Sequence, residues 1–228
     1  MNTIAVHTDT AEVAWDQPVR TVRIETGGGS VDVRGTETTG VRGTRRIERG
    51  LQTPTVTEQV DGDPLVLTTR CSGLAIPWCS ASYALDVPRS VRLDVRTGTG
   101  RVTVRGTTGG LTASTGTGHI EAWDLDGPLV VETGVGGVEA RDLRSEQVQA
   151  STGTGSALVS FTTPPRSVSI ESGTGDIDVL VPRDGAAYHV EDDGGAGDTT
   201  IDVPTDPTAD RVIRLTHGAG DARVGQRG

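Results

Sequence analysis

The chain has 228 residues, a formal net charge of −10, and 33% apolar and 3% aromatic residues. So acidic a surface repels polyanions and argues against nucleic acid as a partner, and no stretch approaches the ~18 consecutive apolar residues of a membrane helix. All 21 basic residues are Arg and Gly contributes 32, so any core must be built in thin layers from Val, Ile, Leu, Ala and Thr.

The opening stretch, MNTIAVHTDTAEVAWDQP, has no basic segment followed by an apolar one. That points to the cytoplasm, with the cell surface as the alternative. Residues 1–21, which include Trp15, are expected to cap one end of the fold. A motif of the form Φ-x-Φ-x-(Thr/Ser)-Gly-x-Gly-x-Φ-x-Φ, with Φ apolar, then begins at VRIETGGGSVDV (Val22 to Val33).

Residues 35–92 depart from the motif. Strands are expected near Thr55–Gln59, Leu65–Thr69 and Tyr83–Val87, with turns at Val60–Pro64 and around the cysteines. This segment reads as irregular coils of the same repeat with larger loops. It carries the one basic cluster, Arg42, Arg45, Arg46 and Arg49 in VRGTRRIERG. The cluster is either a site for an acidic partner or a solvated face that answers the chain's own acid. Cys71 and Cys79 in CSGLAIPWC close a short loop as a disulfide or remain two inert thiols. Zinc is disfavoured, because no His or further Cys lies near in sequence.

Residues 93–224 carry the regular copies: LDVRTGTGRVTV, LTASTGTGHIEA, LVVETGVGGVEA, VQASTGTGSALV and VSIESGTGDIDV. The first Gly falls at 98, 116, 134, 153, 173, 195 and 218, with gaps of 18, 18, 19, 20, 22 and 23. Each half-motif has a period of two and therefore reads as a strand with one buried face. The Gly-x-Gly between halves suits a corner where Cβ atoms are not tolerated. A third apolar spot follows in several copies (Leu125, Leu143, Phe161, Val181), which suggests three strands per repeat and a three-sided coil. Stacking such coils ~4.8 Å apart buries a continuous core. The expected architecture is one all-β domain, 1–228: a parallel β-solenoid (β-helix) of about 18–22 residues per coil with Gly-x-Gly corners. An antiparallel sandwich is the alternative, although it does not need the same turn at the same phase in every copy. The closing VGQRG is expected to cap the far end.

The TGTGxΦxΦ copies, the run YALDVPRSVRLDVRTGTGRVTV (Tyr83 to Val104) and the late SGTGDIDVLVP (Ser172 to Pro182) resemble a bacterial family of β-strand-repeat proteins labelled putative adhesins, otherwise of unknown function. The resemblance covers Val22 to Val224. It implies a right-handed solenoid and a surface-binding role, and it brings no catalytic residues.

Three constellations could carry chemistry. The residue after the second Gly stacks from copy to copy and ends in Asp176, Asp198 and Asp221. Such a carboxylate ladder either holds a divalent cation, most naturally Ca2+, or is a solvated acidic edge. Glu121 and Glu139 stack outward in successive copies and form the best carboxylate pair for glycoside chemistry. His119 sits outward beside them, while His7, His189 and His217 lie in unrelated contexts. GTGTG lacks the Gly-Lys-Ser/Thr and the following helix of a phosphate loop, and no nucleophile-elbow sequence supports a Ser-His-Asp triad. The favoured function is a non-enzymatic structural or binding module with no cofactor. A protein or glycan surface is its expected partner, and self-association is an open route. The alternatives are a carbohydrate-active β-helix enzyme and a self-assembling scaffold.

Overall fold

Alternating buried and exposed side chains shape most of the strands. In Thr21–Thr26 the inward set is Val22, Ile24 and Thr26, and in Val31–Thr36 it is Val31, Val33 and Gly35. The computed structural model describes residues 6–50, 54–59, 63–71 and 79–227. The turn expected at Val60–Pro64 falls largely outside them, and the loop between the cysteines falls wholly outside.

The first seven strands are β1 (His7–Trp15), β2 (Thr21–Thr26), β3 (Val31–Thr36), β4 (Val41–Arg49), β5 (Thr55–Gln59), β6 (Leu65–Arg70) and β7 (Cys79–Pro88). Regular copies follow in pairs: β8 (Arg92–Thr99) with β9 (Val102–Arg105), β10 (Leu111–Thr117) with β11 (Ile120–Trp123), and β12 (Leu129–Val135) with β13 (Val138–Leu143). Then come β14 (Gln147–Thr154) with β15 (Ala157–Phe161), and β16 (Ser167–Thr174) with β17 (Ile177–Val181). The last pairs are β18 (His189–Ala196) with β19 (Thr199–Ile201) and β20 (Val212–Ala219) with β21 (Ala222–Gln226).

These strands form two large sheets. One has eleven strands in the order β1-β4-β7-β3-β9-β11-β13-β15-β17-β21-β19, and the other ten in the order β18-β20-β16-β14-β12-β10-β8-β2-β6-β5. Pairing is parallel along most of both sheets and antiparallel for β1–β4, β4–β7 and β5–β6.

This corrects the expected right-handed parallel β-solenoid of about 18–22 residues per coil: the chain makes two mixed sheets. Three findings overturn it. Each copy supplies two strands, one to each sheet. Of the third apolar spots, Leu125 lies outside any strand, and Leu143, Phe161 and Val181 are the last residues of β13, β15 and β17. All four are buried plugs rather than a third strand. Finally, the strand order does not follow the chain. β2 and β3 lie between the β6/β7 pair and the β8/β9 pair, and β20 and β21 lie between β16/β17 and β18/β19. The closing VGQ therefore sits inside the stack and caps nothing.

Burial explains the reordering. β20 and β21 alternate cleanly, with Ile213, Leu215, Ala222 and Val224 buried. The inward positions of β18 are Val190, Asp192 and Gly194, which face Ile213, Leu215 and His217. A carboxylate at an inward position is tolerable only on a terminal strand, where water reaches it. The more apolar pair therefore goes inside, whatever its place in the chain.

The corners are held by backbone geometry. Gly136 has φ +138°, and a Cβ there would lie 1.8 Å from the carbonyl oxygen of Gly118 in the neighbouring copy. Gly134 has no such φ, but its Cβ would come 2.6 Å from the Gly116 carbonyl oxygen. The residue before the first Gly points inward as Thr26, Thr97, Thr115, Thr133, Thr152, Ser172 and His217, and together with Thr69, which precedes Arg70, these form a buried ladder. In the regular copies its hydroxyls donate to corner carbonyls of the neighbouring copy, as Thr133 does to Gly118 at 3.0 Å and Thr152 to Gly136 at 2.8 Å, while the Thr69 hydroxyl bonds Tyr83. Thr133→Val keeps the shape and removes the donor. It is expected to cost about 1–2 kcal/mol, read as a melting-point drop of roughly 3–6 °C. An unchanged melting point would show that the ladder is space-filling only.

Candidate functional site

The ends of the sheets are closed by polar contacts between them. At one end Arg45 of β4 pairs with Glu58 of β5. At the other, the His217 imidazole replaces the ladder hydroxyl. Its Nε2 lies 3.3 Å from Thr199 Oγ1 of β19 and 3.4 Å from Asp192 Oδ1 of β18, and the Thr199 hydroxyl donates to Asp192 Oδ2 at 2.7 Å. Gly194 leaves room for the ring, since a Cβ there would lie 2.5 Å from Nε2. At the opposite end of β18, the Tyr188 phenol is buried with no hydrogen-bond partner among the described residues, and burial pushes its pKa up to about 12, with Asp184 adding to the shift. The role of His217 is not foreseen from sequence, although THGAG, where other copies have STGTG, puts it at the ladder position when the copies are aligned.

In several copies the residue after the second Gly accepts a backbone amide of the next strand. Asp176 Oδ1 accepts the Asp221 amide at 3.0 Å, and Asp221 Oδ1 accepts the Asp198 amide at 3.0 Å. The spatial order is therefore Asp176, Asp221, Asp198, because β21 lies between β17 and β19. Ser156 Oγ and His119 Nδ1 accept the amides of Asp176 and Gly137 in the same way, at 3.2 and 3.1 Å. A neutral His119 therefore carries its proton on Nε2. Among the described residues, no set of three or more His, Cys, Asp or Glu converges to hold a metal ion.

Cys71 and Cys79 are joined, with their Cα atoms 6.1 Å apart. The bridge spans the connection from β6 to β7, where other copies have Gly-x-Gly. The basic cluster on β4 is spent on nearby acids: Arg42 pairs with Asp16, Arg45 with Glu58, Arg46 with Glu48 and Arg49 with Asp9.

The outer face of the eleven-stranded sheet is different. Register brings Arg34 of β3 beside Arg105 of β9, Arg105 beside Trp123 of β11, and Trp123 beside Arg141 of β13. Strand spacing makes this a row of about 14 Å across the strands. The Arg105 guanidinium lies 4.0 Å from the centroid of the Trp123 ring, a cation–π contact. Among the described residues neither Arg34 nor Arg105 has an ion-pair partner. Two residues earlier on the same strands lies a parallel acidic row, Asp32, Thr103, Glu121 and Glu139. Its carboxylates are partly answered: Arg101 Nε is 3.4 Å from Glu121, and Arg141 Nε 2.5 Å from Glu139. Glu121 and Glu139 do stand side by side. On the ten-stranded sheet Arg23 and Arg96 both pair with Asp94 and Arg214 pairs with Glu191, while Arg70 and Arg92 have no ion-pair partner among the described residues. Sequence reasoning does not find the basic row. Its signal is the last residue of VDVR, VTVR, IEAW and VEAR, one position past the apolar pair that defines the motif.

No family model matches the chain, and no curated protein matches it. Among solved structures, the chain is similar to one described as a putative cell adhesion protein from Clostridium sporogenes, at 12% identity over 98% of this chain and 100% of that one, with a TM-score of 0.39. It is also similar to one described as a putative adhesin from Bacteroides fragilis, at 13% identity over 96% and 97% with a TM-score of 0.41. A third, described as a putative adhesin from Parabacteroides merdae, shares 11% identity over 95% and 96% with a TM-score of 0.39.

Proposed function

We propose that this chain is a non-enzymatic, adhesin-like binding module whose binding surface is the outer face of the eleven-stranded sheet. The observation that carries the reading is the row Arg34–Arg105–Trp123–Arg141, in which two guanidiniums have no ion-pair partner among the described residues of a chain of net charge −10. The inward ladder and the post-glycine column serve the fold, so the outer face is left for a partner. A bridge between Cys71 and Cys79 suits an oxidising compartment, which supports a cell-surface setting over the cytoplasm.

The reading is tested by incubating the purified protein with a panel of polysaccharides and acidic polypeptides, while following retention and turnover together. Retention of a polymer without new reducing ends or unsaturated products is expected, with Glu121→Gln and Glu139→Gln leaving the products at zero. Turnover by the parent protein that disappears in either variant overturns the proposal in favour of a carbohydrate-active enzyme. Failure to retain any polymer overturns it as well.

A further inference from the structure

Resting on that reading, we infer that the ligand of this face is an acidic glycan, a chain of sugars bearing carboxylates, lying along the basic row. Three chemistries meet there in register. Arg34 and Arg105 offer planar forks that match carboxylate geometry; among the described residues neither is ion-paired, although Asp86 of β7 stands beside Arg34 in register. Trp123, half-buried with the Arg105 guanidinium stacked 4.0 Å from its centroid, offers the rest of its flat apolar ring to the C–H face of a sugar. The adjoining row, Asp32, Glu121 and Glu139, offers only acceptors. Acceptors beside a cationic row select a ligand that brings carboxylates and hydroxyl donors together.

That pairing distinguishes the glycan from other polyanions. A nucleic acid carries a charge on every unit and would meet the acidic row and the net charge of −10 at close range. An acidic peptide supplies carboxylates, but it has few hydroxyls for Asp32, Glu121 and Glu139. A uronic-acid polymer has one carboxylate and several hydroxyls per ring. Spaced guanidiniums along a line of about 14 Å then engage successive rings.

The test measures binding of polygalacturonate, with poly-L-glutamate and neutral dextran as comparators, at low and physiological salt. The intact protein is expected to bind polygalacturonate with a salt-dependent affinity and to bind both comparators at least about tenfold more weakly. Arg34→Gln and Arg105→Gln are each expected to weaken polygalacturonate binding about tenfold. Arg96→Gln on the opposite sheet is expected to leave it unchanged. Trp123→Ala is expected to weaken binding to a similar extent, with its melting curve recorded beside it. Should that variant fail to fold, the two exposed Arg variants decide the question. Equal or tighter binding of poly-L-glutamate overturns the glycan assignment in favour of an acidic peptide, and equal binding of dextran overturns the acidic class; either result leaves the binding module standing. Polygalacturonate binding that is indifferent to Arg34 and Arg105 overturns the placement on this face.

Discussion

Gly136→Ala is expected to destabilise the protein by more than about 4 kcal/mol, or to prevent folding. Two costs combine at this corner. The φ of +138° lies in a region that L side chains rarely adopt, and a Cβ there would overlap the carbonyl oxygen of Gly118. That oxygen belongs to backbone that already accepts the Thr133 hydroxyl, so it cannot move aside cheaply. Gly27 is the matched control. It holds the first-Gly place in the earliest copy, its φ is not positive, and an added Cβ meets nothing within 4 Å. Gly27→Ala is therefore expected to change stability by no more than about 0.5 kcal/mol. Paired urea melts of the two variants are the check. Two small, equal changes would mean that the corners are not limited by backbone contact, and the repeated Gly-x-Gly would need another explanation.

Phe161→Ala is expected to cost about 3–5 kcal/mol, a fall of roughly 10 °C in melting point for a chain of this size. Phe161 is the single Phe of the sequence and is fully buried. It stands in register with Leu143, at the spot where one sheet gives way to the next turn of chain. The surrounding core is built from Val, Leu, Ile and Ala on stiff paired strands. Such walls cannot collapse into the space that an aromatic ring leaves. Phe161→Leu keeps most of the volume and is expected to cost less than about 1.5 kcal/mol. A loss below about 1 kcal/mol for the alanine variant would show that the plug position is loosely packed.

Much of the local structure is legible in the residues. Alternation in LTASTGTGHIEA places Leu111, Ala113, Thr115, Ile120 and Ala122 inward, and all five are buried. The two half-motifs correspond to β10 and β11, and the repeated Thr before Gly-x-Gly marks a hydroxyl that meets a neighbouring carbonyl. The third apolar residue misleads. A single buried side chain at a turn and a short strand leave the same mark in a hydropathy pattern, since both present one apolar residue between polar ones. Reading Leu125 and Phe161 as members of a third strand turns two sheets into a three-sided coil.

The candidate site is less legible. Arg34, Arg105, Trp123 and Arg141 lie outside the apolar positions that define the repeat, so alignment on the motif passes over them. The aspartates after the second Gly stand out because they repeat, yet their repetition reflects a shared backbone contact, in which Asp176 and Asp221 each receive the amide of the next strand.

The repeating unit is a property of local sequence: two short strands, one inward face each, joined in most copies at a Gly-x-Gly corner. It depends on alternation within about a dozen residues and on the backbone conformation that glycine allows at the corner. The order of the units is not local and comes from packing between distant segments. Whether β20 lies inside or outside β18 depends on which of the two loses less by facing water, and the apolar Ile213 and Leu215 win the interior over Asp192. The same long-range competition puts β3 beside β9 and thereby sets Arg34 next to Arg105, within reach of Trp123. The proposed binding face depends on strands far apart in sequence that share a register.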